Sequence, residues 1–463
     1  MNFTDPVFFL FLPLVLSIVY LVRWKSKTSF NVLMIVSSSI FYGYWDYRFL
    51  VLLFYSTVID YYAGLKIAGS ENVVLRKKWL VFSIVSNLGL LFYFKYCNFF
   101  IDNLRLLGIQ VEVLNIILPV GISFYTFQTM SYSIDVYRRE ILPEKSFLNF
   151  LYYTIFFPQL VAGPIVRAIE FLPQVQKIPE VSFSKIKFGA SIFVLGLIKK
   201  VLLANSIAPF VDQVFNDPTI YSSWTIWYSV IGYSLQIYFD FSGYTDMAIG
   251  ISHMFGHSLV ENFNLPYISR SVTDFWRRWH MSLSRWIKDY IYISLGGSRK
   301  GKYRTYINLI ITMMLGGLWH GASWNFVIWG SLHGLALSFE KFFHLDKRFL
   351  NGYISFVRWI LTIVFVMITW VFFRAKDLSS ACIIIERMFF IHNGIDWFQF
   401  QLGIVLFFTV LGHLVSYFYI RKRFKYFILD LDKFWSLTLF LFVILGLLLL
   451  NPKYHHPFIY FQF

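Results

Sequence analysis

The sequence predicts an all-α polytopic membrane protein, and three observations carry that prediction. Hydrophobic residues make up 57% of the 463 positions and charged residues only 14%, whereas an average soluble chain is about 25% charged. Too few charges are present to cover a water-facing surface. Mean hydropathy is +0.60. Apolar runs long enough to cross a bilayer, about 20 residues each, recur along the chain. This composition excludes a cytosolic enzyme, a disordered chain and a fibrous repeat. Two cysteines, Cys97 and Cys382, stand far apart in apolar segments and are expected as free, buried thiols rather than a disulfide framework.

The net charge is +16, from 41 basic and 25 acidic residues. In a soluble chain that would suggest nucleic acid. Here the basic residues cluster in short loops, as the positive-inside rule requires, and no nucleic-acid motif accompanies them, so no nucleic-acid partner is expected. An anionic cytosolic ligand such as a phosphate-bearing coenzyme remains open.

The elements follow in order. The run from Pro6 to Val22 has no basic region before it and no small-residue cleavage site. It is expected as a retained first helix. Arg23, Lys25 and Lys27 then place the following loop in the cytoplasm and the N-terminus outside. Returning spans are expected from Phe30 to Trp45, Phe49 to Ile67 (followed by Arg76, Lys77 and Lys78) and Trp79 to Tyr96. Further apolar stretches lie at 113–134, 146–163, 188–208, 224–252, 305–319, 322–340, 354–373, 401–420 and 434–450. The total is roughly 11 to 13 membrane segments. Leu118-Pro119-Val120-Gly121 and Phe157-Pro158 should break two of them. Irregular backbone at membrane depth survives only inside protein or along a cavity, so a polar cavity is expected.

Residues 262–304 are too polar to span. Nine Lys/Arg and two Asp fall between Arg270 and Arg304, a cytoplasmic marker. Within this stretch Trp276, Trp279, His280, Leu283, Trp286, Ile287 and Tyr290 recur at helical spacing, with Arg277, Arg278, Met281, Ser284 and Lys288 opposite. That pattern predicts an amphipathic helix at the interface. Ser271 and Asp274 offer a capping box at its start, and Gly296-Gly297-Ser298 a turn at its end. No fixed-period repeat and no soluble domain is visible. The chain reads as one membrane unit over 1–463, with N-terminal helices (1–112), a motif-bearing core (113–375) and C-terminal helices (376–463).

The sharpest chemical signal is Leu315-Gly316-Gly317-Leu318-Trp319-His320-Gly321-Ala322-Ser323-Trp324-Asn325. A histidine deep in apolar sequence is costly and points to function. Its glycines allow close approach of another backbone or a ligand, and a neutral imidazole can take a proton near neutral pH. A structural histidine bonded to a neighbouring helix is the alternative. Phe275-Trp276-Arg277-Arg278-Trp279-His280 supplies a second histidine, which an interfacial aromatic belt does not explain. In Gln236-Ile237-Tyr238-Phe239-Asp240-Phe241-Ser242-Gly243-Tyr244-Thr245-Asp246 two carboxylates must be paired or hydrogen-bonded. Asp240 and Tyr244 share a helical face. A structural network serves as well as catalysis there, and equally for Gly121–Asp135 and for Phe157–Pro164, which carries Gln159. Trp370–Arg374 reads as an interfacial anchor. No phosphate-cradling loop and no G-x-S-x-G elbow occurs. No Cys/His cluster has zinc spacing, and His455-His456 reads as surface. No metal is expected.

Taken together, Leu118–Tyr137, Phe157–Arg167, Gln236–Gly250, Asn262–Gly301, Gly316–Trp329, Trp370–Ala375 and the closing Pro457–Phe463 resemble the membrane-bound O-acyltransferase (MBOAT) superfamily. Within it they are most similar to the bacterial alginate O-acetyltransferase (AlgI-like) branch, which includes peptidoglycan O-acetyltransferases. The resemblance implies a ring of roughly 11 transmembrane helices, with re-entrant and amphipathic helices, around a central funnel. The essential histidine of the family, in its Trp-His-Gly block, corresponds to His320, and a second histidine, in its Trp-Arg-Arg-Trp-His block, to His280.

The activity so implied is acetyl transfer from cytosolic acetyl-CoA, with no bound cofactor, across the bacterial inner membrane to an extracytoplasmic polysaccharide such as an alginate-like polymer or peptidoglycan. His320 would act as general base, and His280 would orient the donor or line the cytosolic end of the tunnel. Trp324 and Asn325 are candidates to hold the oxyanion, and Asp240 and Gln159 to line the substrate path. Apart from the resemblance, the basic face of 270–304, with Arg277 and Arg278, is suited by its charge to attract the coenzyme's phosphates. A periplasmic SGNH-hydrolase-like partner is expected to finish the transfer, with membrane lipids around the protein. The alternatives are D-alanyl transfer to teichoic acid by the sister branch and, from other classes, a transporter or a recruiting scaffold. Broken helices and buried carboxylates suit a transporter, but the absence of repeat symmetry does not.

Overall fold

Helices begin where the sequence supplies a side-chain oxygen to take an orphaned backbone N–H. Ser26, Asn72, Ser146, Ser271, Ser323 and Asp377 each do so. In the computed structural model, which describes residues 1–22, 26–345, 352–419, Leu441 and Phe458, this gives an all-helical chain. No strand occurs among the described residues, only an isolated bridge between Tyr221 and Ile395. The expected span at 434–450 (except Leu441), the closing block at 457–463 (except Phe458), the pair His455-His456 and the loop residues Arg23 and Lys25 lie outside the described residues.

In chain order the helices are α1 (Phe8–Leu21), α2 (Lys27–Asp46), α3 (Leu50–Ala68), α4 (Val73–Leu91), α5 (Cys97–Leu106), α6 (Ile122–Arg138), α7 (Phe147–Ile155), α8 (Phe157–Leu160), α9 (Ala168–Val175) and α10 (Phe183–Leu197). There follow α11 (Asn205–Asn216), α12 (Ser223–Met254), α13 (Val272–Trp276), α14 (Met281–Trp286), α15 (Lys302–His320), α16 (Trp324–Phe342), α17 (Tyr353–Arg374), α18 (Leu378–Phe389) and α19 (Phe400–Tyr419). Among the described residues three helical stretches, Lys27–Ala68, Val73–Leu106 and Tyr353–Arg374, are long and apolar enough to cross a membrane by length and composition.

Two compact units emerge. Met1–Phe193 with Thr245–Val260 forms one, and Val194–Tyr244 with Glu261–Phe463 the other. In the first, polar residues placed in apolar helices meet one another, as hydrocarbon requires. Asp60 of α3 accepts from Ser83 and Asn87 of α4 and from Ser133 of α6. Asn31 of α2 donates to Asn149 of α7 at 3.0 Å. The Tyr152 hydroxyl meets Nε2 of His257 at 2.8 Å. None of these pairings was singled out from sequence.

In the second unit α15 and α16 form a tightly packed hairpin. An added Cβ at Gly317 would lie 2.1 Å from the Phe326 carbonyl oxygen, and one at Gly330 would lie 2.3 Å from that of Met313. The glycines of the Trp-His-Gly block are therefore used, in part, for helix–helix contact. α17 packs on α16, and α18 on α17.

Several expectations need correction. The stretch 113–134 is not one span. Residues 113–118 carry no regular structure, and α6 starts only after Gly121, which has φ of 77°. Phe156 and Pro158 divide 146–163 into α7 and α8. Both breaks fall where proline and glycine stand. The first helix is shorter than Pro6–Val22. Cys97 is half-buried and Cys382 exposed, so the thiols are free but not buried.

The amphipathic helix is not continuous either. α13 ends at Trp276, and His280, with φ of 42°, turns the chain before α14 and a π-helical turn at Ile287–Tyr292. The faces nevertheless fall as the spacing predicts. Trp276, Trp279, His280, Leu283, Trp286, Ile287 and Tyr290 are all buried, while Arg277 and Lys288 are exposed. Half of the capping box forms, with Ser271 accepting from the Asp274 amide. The Asp274 carboxylate holds Arg278 at 2.9 Å instead of reaching back.

Candidate active site

The second unit brings the two histidines together. His320 is the last residue of α15, and Gly321 beyond it is extended. Its ring is buried and walled by Trp319, Trp329 and Phe373 at centroid distances of 5.0, 5.2 and 5.1 Å. The His280 ring lies 6.4 Å away. An imidazole in such a box is shielded from water, which strengthens electrostatic interactions at the site.

His280 owes its position to backbone geometry. It occupies the left-handed region, which non-glycine residues avoid, and that conformation is held from outside. Asn262 accepts the Met281 amide on its carbonyl at 3.0 Å and the Ser282 amide on Oδ1 at 3.1 Å. The Asn264 amide donates to the Arg278 carbonyl at 2.9 Å. The turned ring then packs edge-on against Phe241 of α12 at 4.6 Å. Phe458, from the closing block, touches the same Phe241 at 5.7 Å and Tyr244 at 4.7 Å.

The segment before His280 is fastened to α16. Glu340 accepts the amides of Val272 and Thr273 and the Thr273 hydroxyl, at 2.5, 2.9 and 2.7 Å. Seven residues earlier, His333 accepts the Trp276 indole N–H on Nδ1 at 3.2 Å, and its Nε2 meets the Thr369 hydroxyl at 3.1 Å. Four residues earlier again stands Trp329, against His320. One face of α16 thus touches both histidine-bearing segments. His333 and Trp329 were missed from sequence. An ionisable residue inside an expected span was the available signal for His333, and for Trp329 it was its place at the end of the Gly316–Trp329 block.

The other expected site residues are more dispersed. Trp324 is 54% exposed. Asn325 is buried, but its side-chain amide donates to the Ala375 carbonyl at 2.9 Å, tying the start of α16 to the end of α17. Asp240 forms a buried ion pair with Lys200 at 2.6 Å, so the network reading describes its contacts. Gln159 lies in the first unit and donates to the Tyr153 carbonyl at 2.7 Å. Arg278 is held by Asp274 and by the Asn264 carbonyl, whereas Arg277 is exposed. Arg374 is more than an interfacial anchor, since it pairs with Asp212 at 2.5 Å and lies over the Phe215 ring. Two cavities, of about 730 and 710 Å³, both reach Arg270. Neither is lined by His280 or His320. Among the described residues no cluster of side chains suited to a metal ion occurs.

Comparison with known proteins bears on this site. The family model described as "MBOAT, membrane-bound O-acyltransferase family" matches residues 45–381, which include both histidines. The chain is 43% identical to the Probable alginate O-acetylase AlgI of Azotobacter vinelandii over 398 residues, covering 84% of this chain and 78% of that protein. It is 38% identical to the Peptidoglycan O-acetyltransferase of Helicobacter pylori over 417 residues, covering 83% and 79%. The Teichoic acid D-alanyltransferase of Bacillus subtilis is 32% identical over a shorter 275 residues, or 56% of this chain and 67% of that protein.

Proposed function

Because the chain belongs to the membrane-bound O-acyltransferase family, in the branch that holds the alginate and peptidoglycan O-acetyltransferases, we propose that it carries acetyl groups from cytosolic acetyl-CoA across the bacterial inner membrane to hydroxyls of an extracytoplasmic polysaccharide. The observation that carries the reading is the water-shielded box in which His320 faces His280 at 6.4 Å. In this reading the whole chain works as one membrane domain, a ring of helices around a funnel.

The chemistry needs one proton acceptor. His320 takes the proton of the acceptor hydroxyl as its oxygen attacks the thioester carbonyl. The tetrahedral intermediate collapses, the carbon–sulfur bond breaks, and the proton returns from the imidazolium to the departing thiolate. No charge then remains in the apolar box. His280 orients the donor. The exposed Arg277 offers a cation to the coenzyme's phosphates, with Arg278 beside it. A periplasmic SGNH-hydrolase-like protein receives the acetyl group where transfer to polymer is not direct.

The test is base-released acetate from separated envelope polymers, in cells with the intact protein or His320→Ala at matched expression. The expected result is acetate lost from one polymer, which also names the acceptor. Acetate unchanged in every fraction overturns the reading. Loss of D-alanine esters instead would move the chain to the teichoic acid activity of its more distant relative.

A further inference from the structure

A tetrahedral oxyanion in an apolar box needs a hydrogen-bond donor, and the two residues the sequence offers for that role are poorly suited to it. Trp324 is more than half exposed, and the Asn325 amide is engaged by the Ala375 carbonyl. A better donor stands beside the base. Trp329 is 1% exposed, and its indole Nε1–H is buried with no hydrogen-bond partner among the described residues. Leaving such a donor unsatisfied costs about 1–3 kcal/mol, and orphaned buried groups are rare enough in native proteins to need a reason.

The ring is also fixed in place. It meets His320 edge to face, at 5.2 Å and 89°. It stacks on Trp370 at 5.9 Å and 20°, and touches His333 and Phe373 at 5.0 and 5.2 Å. A donor held rigid before substrate arrives needs no reorganisation during reaction, which is where such groups gain their effect.

We infer that Trp329 is a catalytic residue whose indole N–H donates to no described residue because its acceptor is the thioester carbonyl oxygen of the bound acetyl donor, which becomes the oxyanion as the acceptor hydroxyl attacks. This rests on the acetyl-transfer reading with His320 as base. The carbonyl oxygen gains the electron pair of the C=O bond as the new C–O bond forms, and returns it when the carbon–sulfur bond breaks. The N–H donates throughout and its proton is not transferred.

The test uses the full-length protein in membrane vesicles supplied with labelled acetyl-CoA, with free coenzyme A release and acetyl incorporation measured together. Trp329→Phe removes the N–H. Replacing Trp329 by 2-naphthylalanine removes it while keeping the bicyclic ring, and so separates the hydrogen bond from the packing. Losing one such donor elsewhere costs about 10²–10³ in kcat. The expected result is a fall in kcat of at least tenfold for the naphthylalanine protein, with KM for acetyl-CoA within threefold of wild type. A smaller fall in kcat, or a fall matched by a rise in KM, overturns the inference. His320→Ala is measured alongside. If that variant keeps wild-type turnover, the acetyl-transfer reading itself fails. If it is inactive while the naphthylalanine protein is not, only the role of Trp329 fails.

Discussion

His280 faces His320 from a backbone conformation that histidine seldom adopts, φ 42° and ψ 54°, at a ring separation of 6.4 Å. Strain of this kind costs about 1–3 kcal/mol and persists where the surroundings impose it. The Asn262 latch on the next two amides is that imposition. The residue's backbone and ring can be tested apart. His280→Asn keeps a residue that tolerates the left-handed region, so the protein should accumulate in membranes at close to wild-type level while acetyl transfer falls at least tenfold. His280→Val places a β-branched residue there and should not accumulate. Wild-type transfer by the Asn variant would show that the ring is dispensable.

Adjacent glycines in the Trp-His-Gly block should respond in opposite directions. A Cβ at Gly317 would meet the Phe326 backbone oxygen at 2.1 Å, and backbone cannot give way as a flexible side chain can. Gly317→Ala should therefore destabilise by about 1–3 kcal/mol, the usual cost of overpacking. A Cβ at Gly316 meets only the Ile287 side chain, at an ordinary 3.6 Å. Gly316→Ala, in a helix interior, should gain about 0.5–1 kcal/mol. Thermal unfolding in detergent reads both. Equal midpoints for the two variants would refute the assignment of Gly317 to helix contact.

The sequence made the periodic features legible and hid those that depend on distant neighbours. Burial of Trp276, Trp279, Leu283, Trp286 and Tyr290 follows from their spacing alone, even though the chain breaks midway. The break has no local signal. It is set by Asn262, eighteen residues earlier in the chain, whose hydrogen bonds reward a turn that histidine itself disfavours. Likewise the glycines announced a close approach, but only the packing of α16 decides which one is used. Asp240 advertised a partner without naming it, because Lys200 lies on another helix. His333 was hidden in a span whose average hydropathy masks one polar residue.

The Lys200–Asp240 pair gives a third prediction. Both side chains are buried, at 2.6 Å from each other. Removing one partner strands a buried charge and should destabilise by about 3–5 kcal/mol, whereas replacing both by apolar residues is often neutral. Asp240→Leu alone should be poorly expressed, and Lys200→Met with Asp240→Leu should recover expression. If Asp240 acts only through this pair, the double variant also recovers acetyl transfer with an unchanged KM for acetyl-CoA. A double variant that folds but transfers nothing would instead assign Asp240 to the substrate path.

His333 engages both ring nitrogens in hydrogen bonds, to Trp276 and to Thr369. The Thr369 hydroxyl donates to the Val366 carbonyl at 2.8 Å, so the proton between Thr369 and His333 belongs to Nε2, leaving Nδ1 free to accept from Trp276. The tautomer is thus dictated by the network. Trp276 precedes His280 by four residues, and the link to α16 fixes the angle at which the turn is entered. His333→Phe keeps an aromatic ring for Phe275 and Trp329 to pack on, but strands the indole N–H of Trp276, at about 1–3 kcal/mol. The variant should unfold earlier and lose roughly tenfold in kcat, a loss of about 1.4 kcal/mol in transition-state stabilisation. Its KM for acetyl-CoA should change little. Trp276→Phe removes the other end of the same bond, so the double variant should be little worse than either single one. Residues in contact typically show coupling of about 0.5–3 kcal/mol in such cycles. Strict additivity of the two losses would mean that Trp276 and His333 support the site independently, and that the hydrogen bond between them does not set the position of His280.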